Sequence, residues 1–127
     1  MSRSADDQAT GPEERTQIVT VEGELDLATA DGLYRRGRAA IGRHARLLLL
    51  DLTGVSFCDS CGLNAFVRIA NEADAVGCRY GLVAPQPIVA KVLRITGLDQ
   101  RLPIFLTIDE ALLRFVAPTG GTAGLGT

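Results

Sequence analysis

A single α/β domain with a mixed, mostly parallel sheet is the fold this sequence predicts. Three observations carry it. Short β-branched or leucine-rich runs alternate with amphipathic helical segments in the order βαβαβαβα. One of those runs, residues 47–50 (LLLL), is apolar without a break, as a strand covered on both faces must be. At 127 residues, 46 % apolar and 22 % charged, the chain has the length and balance of one soluble domain with its own core.

Taken in order, residues 1–15 (MSRSADDQATGPEER) hold almost no large apolar side chain and read as a disordered N-terminal tail. Residues 16–22 (TQIVTVE) are β-branched and half alternating, which suits a strand, and residues 23–26 (GELD) turn the chain. Ala30, Leu33, Tyr34, Gly37 and Ile41 then recur at helical spacing, with Asp26 or Thr29 as the cap. Residues 46–52 (RLLLLDL) form the central strand and residues 53–59 (TGVSFCD) a loop. Leu63, Phe66, Val67, Ala70 and Ala73 line a second helix closed by Gly77. Residues 78–84 (CRYGLVA) are a third strand. Pro85 and Pro87 open a third helix that buries Ile88, Val92 and Leu93 and ends at Gly97. Residues 103–106 (PIFL) are a short strand, and residues 107–110 (TIDE) are a capping box. The last helix buries Ile108, Ala111, Leu112 and Phe115, and residues 117–127 (APTGGTAGLGT) are a flexible tail. The domain is thus expected over residues 16–116. In such sheets functional loops lie beyond the C-terminal strand ends, here residues 23–28, 53–60 and 84–87.

Composition excludes several functions. A net charge of −2 argues against a nucleic-acid footprint. Of 13 basic residues only Lys91 is lysine, so there is no polylysine patch for a membrane surface. No apolar stretch approaches the ~18–20 residues of a bilayer span, and the polar N-terminus is not a secretory signal. Three cysteines, Cys58, Cys61 and Cys78, do not suit a disulfide framework and point to a reducing, cytoplasmic setting.

The densest chemistry lies in residues 51–64 (DLTGVSFCDSCGLN), where the central strand runs into the second helix. Asp59 and Ser60 stand at that helix start, where the first backbone N–H groups lack helical partners. The plain role is a cap. The sharper role is a switch: a phosphate on the Ser60 hydroxyl would meet the N–H groups of Cys61, Gly62 and Leu63 and the positive end of the helix dipole. It would change surface charge by roughly −2. Gly62 is expected to leave room for a kinase.

Residues 51–63 (DLTGVSFCDSCGL) resemble the signature of STAS domains, most closely the anti-sigma factor antagonists. Residues 23–26 (GELD) and 95–98 (ITGL) are similar to two further family elements, in the same order. The resemblance implies a binding module without cofactor, metal or catalysis of its own. It implies an anti-sigma factor with serine kinase activity as partner, whose capture frees a sigma factor. Phosphorylation at Ser60 would end that binding, and a PP2C-type phosphatase would reverse it. The implied partner surface comprises Asp26, Asp59, Ser60, Cys61, Gly62 and Asn64. The chain is expected as a monomer or weak homodimer. Cys61 stands where the family more often has serine, and residues 1–15 are too polar for the extra N-terminal strand the family usually has.

Other chemistries fit less well. Cys58 and Cys61 form a C-x-x-C at a strand-to-helix junction, which makes a thioredoxin-like dithiol oxidoreductase the alternative. Asp59 between them would raise the thiol pKa rather than lower it. Zinc would need Cys58, Cys61, Cys78 and His44 to converge from separate loops. A Ser-His-Asp triad fails because His44 is expected at the far end of the central strand, roughly 20 Å away at ~3.3 Å per residue. Arg35, Arg36, Arg38, Arg43 and Arg46 spread over several helix faces and read as a solvated surface.

Overall fold

A computed structural model describes residues 15–116. The expected C-terminal tail lies outside the described residues, and so does the expected N-terminal tail apart from Arg15. The described chain runs β1 (Thr16–Leu25), α1 (Leu27–Ile41), β2 (Leu47–Cys58), α2 (Ser60–Ala75), β3 (Arg79–Val83), α3 (Pro87–Ile95), a 3₁₀ turn (Leu98–Gln100), β4 (Ile104–Phe105) and α4 (Ile108–Val116). The four described strands form one sheet in the order β1-β2-β3-β4, parallel at every pairing.

The leucine run explains the layering. Side chains alternate across a strand, so Leu48, Leu50 and Leu52 share one face and Leu47 and Leu49 the other. The first set joins Leu33 and Ala40 of α1, Phe66 and Ile69 of α2, and Val89 and Leu93 of α3 in the main core. The second set joins Val83, Phe105 and Ala111 beneath α4. Leu47, Leu48, Leu49 and Leu50 are each at most 1 % exposed, as a strand packed on both faces requires. In α3 the inward pair is Val89 and Leu93, with Val92 half-buried. Ile88, expected inside, is 50 % exposed, because the helix starts at Pro87 and turns its first apolar residue toward solvent. In α4, Ile108, Ala111, Leu112 and Phe115 do face inward. Its capping box is displaced: Thr107 Oγ1 accepts from Glu110 N at 3.0 Å, but the Glu110 carboxylate reaches Leu106 N at 2.7 Å.

The largest difference from expectation lies at the C-terminal strand ends. The turn at residues 23–26 and the loop at residues 53–59 are mostly strand: β1 runs to Leu25 and β2 to Cys58. Gly23 pairs with Val55, Glu24 with Phe57 and Leu25 with Cys58, after register shifts that mark bulges. Glycine and small polar residues disguised this ribbon. Only Val55 and Cys58 of its β2 half are buried, so the two-residue alternation is broken. Beyond Asp51, which pairs with Val83, the ribbon outruns β3. Gln86 Nε2 holds it by donating to Thr53 O at 2.6 Å.

Candidate functional site

The ribbon delivers two helix starts side by side. Asp59 N donates to Leu25 O at 3.0 Å, which fixes the end of β2 against the end of β1. Each strand then passes through one extended aspartate into a helix. Asp26 caps α1: its Oδ1 accepts from Ala28 N at 3.0 Å and Thr29 N at 3.2 Å. Thr29 Oγ1 in turn accepts from Asp26 N at 3.0 Å, so both expected capping residues serve together. Asp59 caps α2: its Oδ1 accepts from Cys61 N at 2.8 Å and Gly62 N at 3.3 Å.

Ser60 is the first helical residue of α2 and is exposed. The amides expected to be free beside it are taken. The Asp59 side chain holds Cys61 N and Gly62 N, and Leu63 N donates to Asp59 O at 3.0 Å. A group on Ser60 could use them only by displacing the cap. Gly62, expected to open the surface to a kinase, faces inward instead. A Cβ there would lie 2.7 Å from Cys58 Sγ and 2.7 Å from Leu25 Cβ. Asn64 is exposed one turn along from Ser60, and Cys61 is half-buried.

Ser60, Cys61 and Asn64 line a groove of about 370 Å³ between α1 and α2, together with Leu27, Ala30, Asp31, Ala65 and Arg68. Leu27 is 80 % exposed, and Phe57 at the ribbon's end is 42 % exposed. The sequence reading missed Leu27, Asp31 and Arg68. A signal for Arg68 was present, because positions 60, 64 and 68 recur at four-residue spacing along one helix face. Leu27 and Asp31 are placed only by the packing of α1 on α2, where Gly37 lets Ile69 approach closely.

The cysteine arrangement is unsuited to dithiol chemistry. Cys58 is 3 % exposed, and burial, with Asp59 adding to it, pushes its thiol up to about 12. A redox pair needs the opposite shift, toward a thiolate near neutral pH. Cys78 is buried as well, with its thiol also raised by burial. No group of three metal-ligating side chains exists among the described residues. His44 is an exposed turn residue after α1, before the start of β2, while Ser60 follows the end of that strand. Among the described residues no helix is long and apolar enough to cross a membrane.

Residues 10–111 match the STAS domain family, and the chain belongs to it. It shares 27 % identity over 95 residues with the anti-sigma-F factor antagonist RsfB of Mycobacterium tuberculosis, covering 75 % of this chain and 77 % of RsfB. With the M. tuberculosis protein Rv2638 it shares 41 % identity over 80 residues, 61 % of this chain, but it spans only about half (48 %) of that protein's length. Among solved structures it is similar to the Bacillus cell fate determinant SpoIIAA in the phosphorylated form. There the TM-score is 0.60 at 27 % identity, over 79 % of this chain and 90 % of that one.

Proposed function

We propose that this chain is an anti-sigma factor antagonist. It binds an anti-sigma factor that is also a serine kinase, so that a sigma factor is released, and phosphorylation of Ser60 ends the binding. A PP2C-type phosphatase restores it. The chain acts in the cytoplasm as a binding module and has no catalytic activity of its own. The observation that carries this reading is the exposed Ser60 hydroxyl at the first helical position of α2, between two aspartate-capped helix starts. Membership of the STAS family and likeness to RsfB and to phosphorylated SpoIIAA support it.

The geometry suggests how a phosphate would act. With Cys61 N and Gly62 N held by Asp59, a phosphate stays at the surface rather than folding onto the helix end. Its charge of about −2 then adds to Asp26 and Asp59 on a surface that binding must desolvate. An interface shaped for a hydroxyl rejects the dianion by size and by desolvation.

The test uses purified serine-kinase anti-sigma factors from the organism that encodes this chain. One is expected to form a complex and, with ATP, to add a single phosphate that maps to Ser60. No complex with any of them, or a phosphate on another residue, overturns the proposal.

Asp26 supplies a second prediction. Asp26→Asn retains an oxygen for Ala28 N and Thr29 N, so the cap loses at most ~1 kcal/mol. Affinity for the kinase is expected to fall while the melting temperature barely moves. Unchanged affinity by calorimetry would remove Asp26 from the contact.

A further inference from the structure

We infer that Arg68 is a specificity arm of this chain's partner surface. It would receive a carboxylate from a partner segment whose apolar side chain fills the α1–α2 groove. This rests on the proposal that an anti-sigma factor binds at Ser60. Ser60 and Arg68 are the first and last residues of α2 that line the groove. Eight residues at ~1.5 Å per residue separate them by roughly 12 Å along α2. The walls also include Leu27, Ala30 and Ala65, a lining for an apolar side chain.

The charges along this groove are unequally compensated. Asp31, on the α1 wall, is paired with Arg35 at 3.3 Å. Arg68 forms no ion pair among the described residues, although Glu72 lies one turn away on the same helix. Glu72 accepts instead from the Tyr34 hydroxyl at 2.8 Å. The Arg68 guanidinium lies 3.8 Å from the centre of the Tyr34 ring, and Arg38 lies 5.9 Å from the same centre. Tyr34 is therefore held at its hydroxyl and presents its face to Arg68. A guanidinium held against a ring has already lost much of its rotamer freedom, and its planar fork matches a carboxylate. Pre-ordering of this kind lowers the entropy cost of binding. The fitting occupant is thus a partner segment with one apolar residue and, roughly 12 Å from the part that meets Ser60, an Asp or Glu.

The experiment uses the full chain and the kinase that labels Ser60 in the wild type. Affinities are measured by calorimetry for wild type, Arg68→Gln and Arg68→Glu, each first shown to melt like a folded domain. Arg68→Gln keeps most of the side-chain stem and stays measurable if the charge reversal harms folding. Arg68→Glu is expected to weaken the complex roughly tenfold or more, and Arg68→Gln by less. One Asp or Glu→Lys substitution in the kinase should restore binding to Arg68→Glu and to no other variant. If the wild type binds its kinase and both variants bind equally well, the inference fails and the antagonist reading stands. If no kinase binds the wild type, that reading fails and takes the inference with it. A change in self-association with kinase affinity unchanged would assign the groove to a second copy and overturn the inference too.

Discussion

Ser60→Glu is expected to lose the anti-sigma kinase, with affinity about 100-fold or more below wild type, equivalent to about 2.7 kcal/mol. The fold should be nearly untouched. Position 60 is exposed and opens α2, where an acidic side chain suits the positive helix end. The cap stays with Asp59, whose bonds to Cys61 N and Gly62 N do not involve the Ser60 side chain. Ser60→Ala is expected to bind like wild type without ATP and to remain bound with ATP, because nothing is left to modify. Complete switching between bound and free populations takes about 5.5 kcal/mol. A genuine phosphate, larger and more charged than glutamate, should therefore exceed the Ser60→Glu effect. Three measurements decide this: calorimetric affinity with and without ATP, thermal melting, and phosphosite mapping. Labelling of Ser60→Ala to the wild-type extent would falsify the switch.

Gly62→Ala is expected to destabilise the domain by ~1–3 kcal/mol, whereas Gly32→Ala, the same exchange in α1, should stabilise it by up to ~1 kcal/mol. Alanine is the better helix former at both sites, so propensity alone predicts a gain twice. Packing separates them. A Cβ at position 32 meets nothing within 4 Å. A Cβ at position 62 would lie 2.7 Å from Leu25 Cβ and 3.2 Å from Leu25 O, parts of the molecule that cannot swing aside. Leu25 belongs to β1 and is tied to Asp59 N, so any relief must disturb the ribbon that sets Ser60. At ~4–8 °C per kcal/mol for a domain of about this size, the two melting temperatures should move clearly in opposite directions. A gain at both positions would show that the two helix starts are not clamped as described.

The βαβαβαβα order and the buried face of most helices were legible because periodicity is a local property of the chain. Ala30, Leu33, Tyr34, Gly37 and Ile41 already mark one stripe of α1, and Gly77 and Gly97, with φ of 75° and 79°, end α2 and α3 where glycine alone is at ease. Ile88 shows the limit: apolar identity does not say which side of the first turn faces the core. Ser60 and its aspartate neighbour were legible for the same local reason, since a cap is set by two or three consecutive residues. The ribbon was not, because residues 53–58 become strand only by pairing with β1 more than thirty positions earlier.

By itself, then, the sequence determined the alternation of elements, the two-faced leucine strand, the position of Ser60 at a helix start and the resemblance of three short motifs to one family. Tertiary structure alone decided which glycine faces inward and which residues from a distant helix share the Ser60 groove. The division follows range. Caps and helical stripes depend on neighbours within a turn, whereas Leu27 and Asp31 reach the groove, and Arg68 meets Tyr34, only where α1 packs on α2.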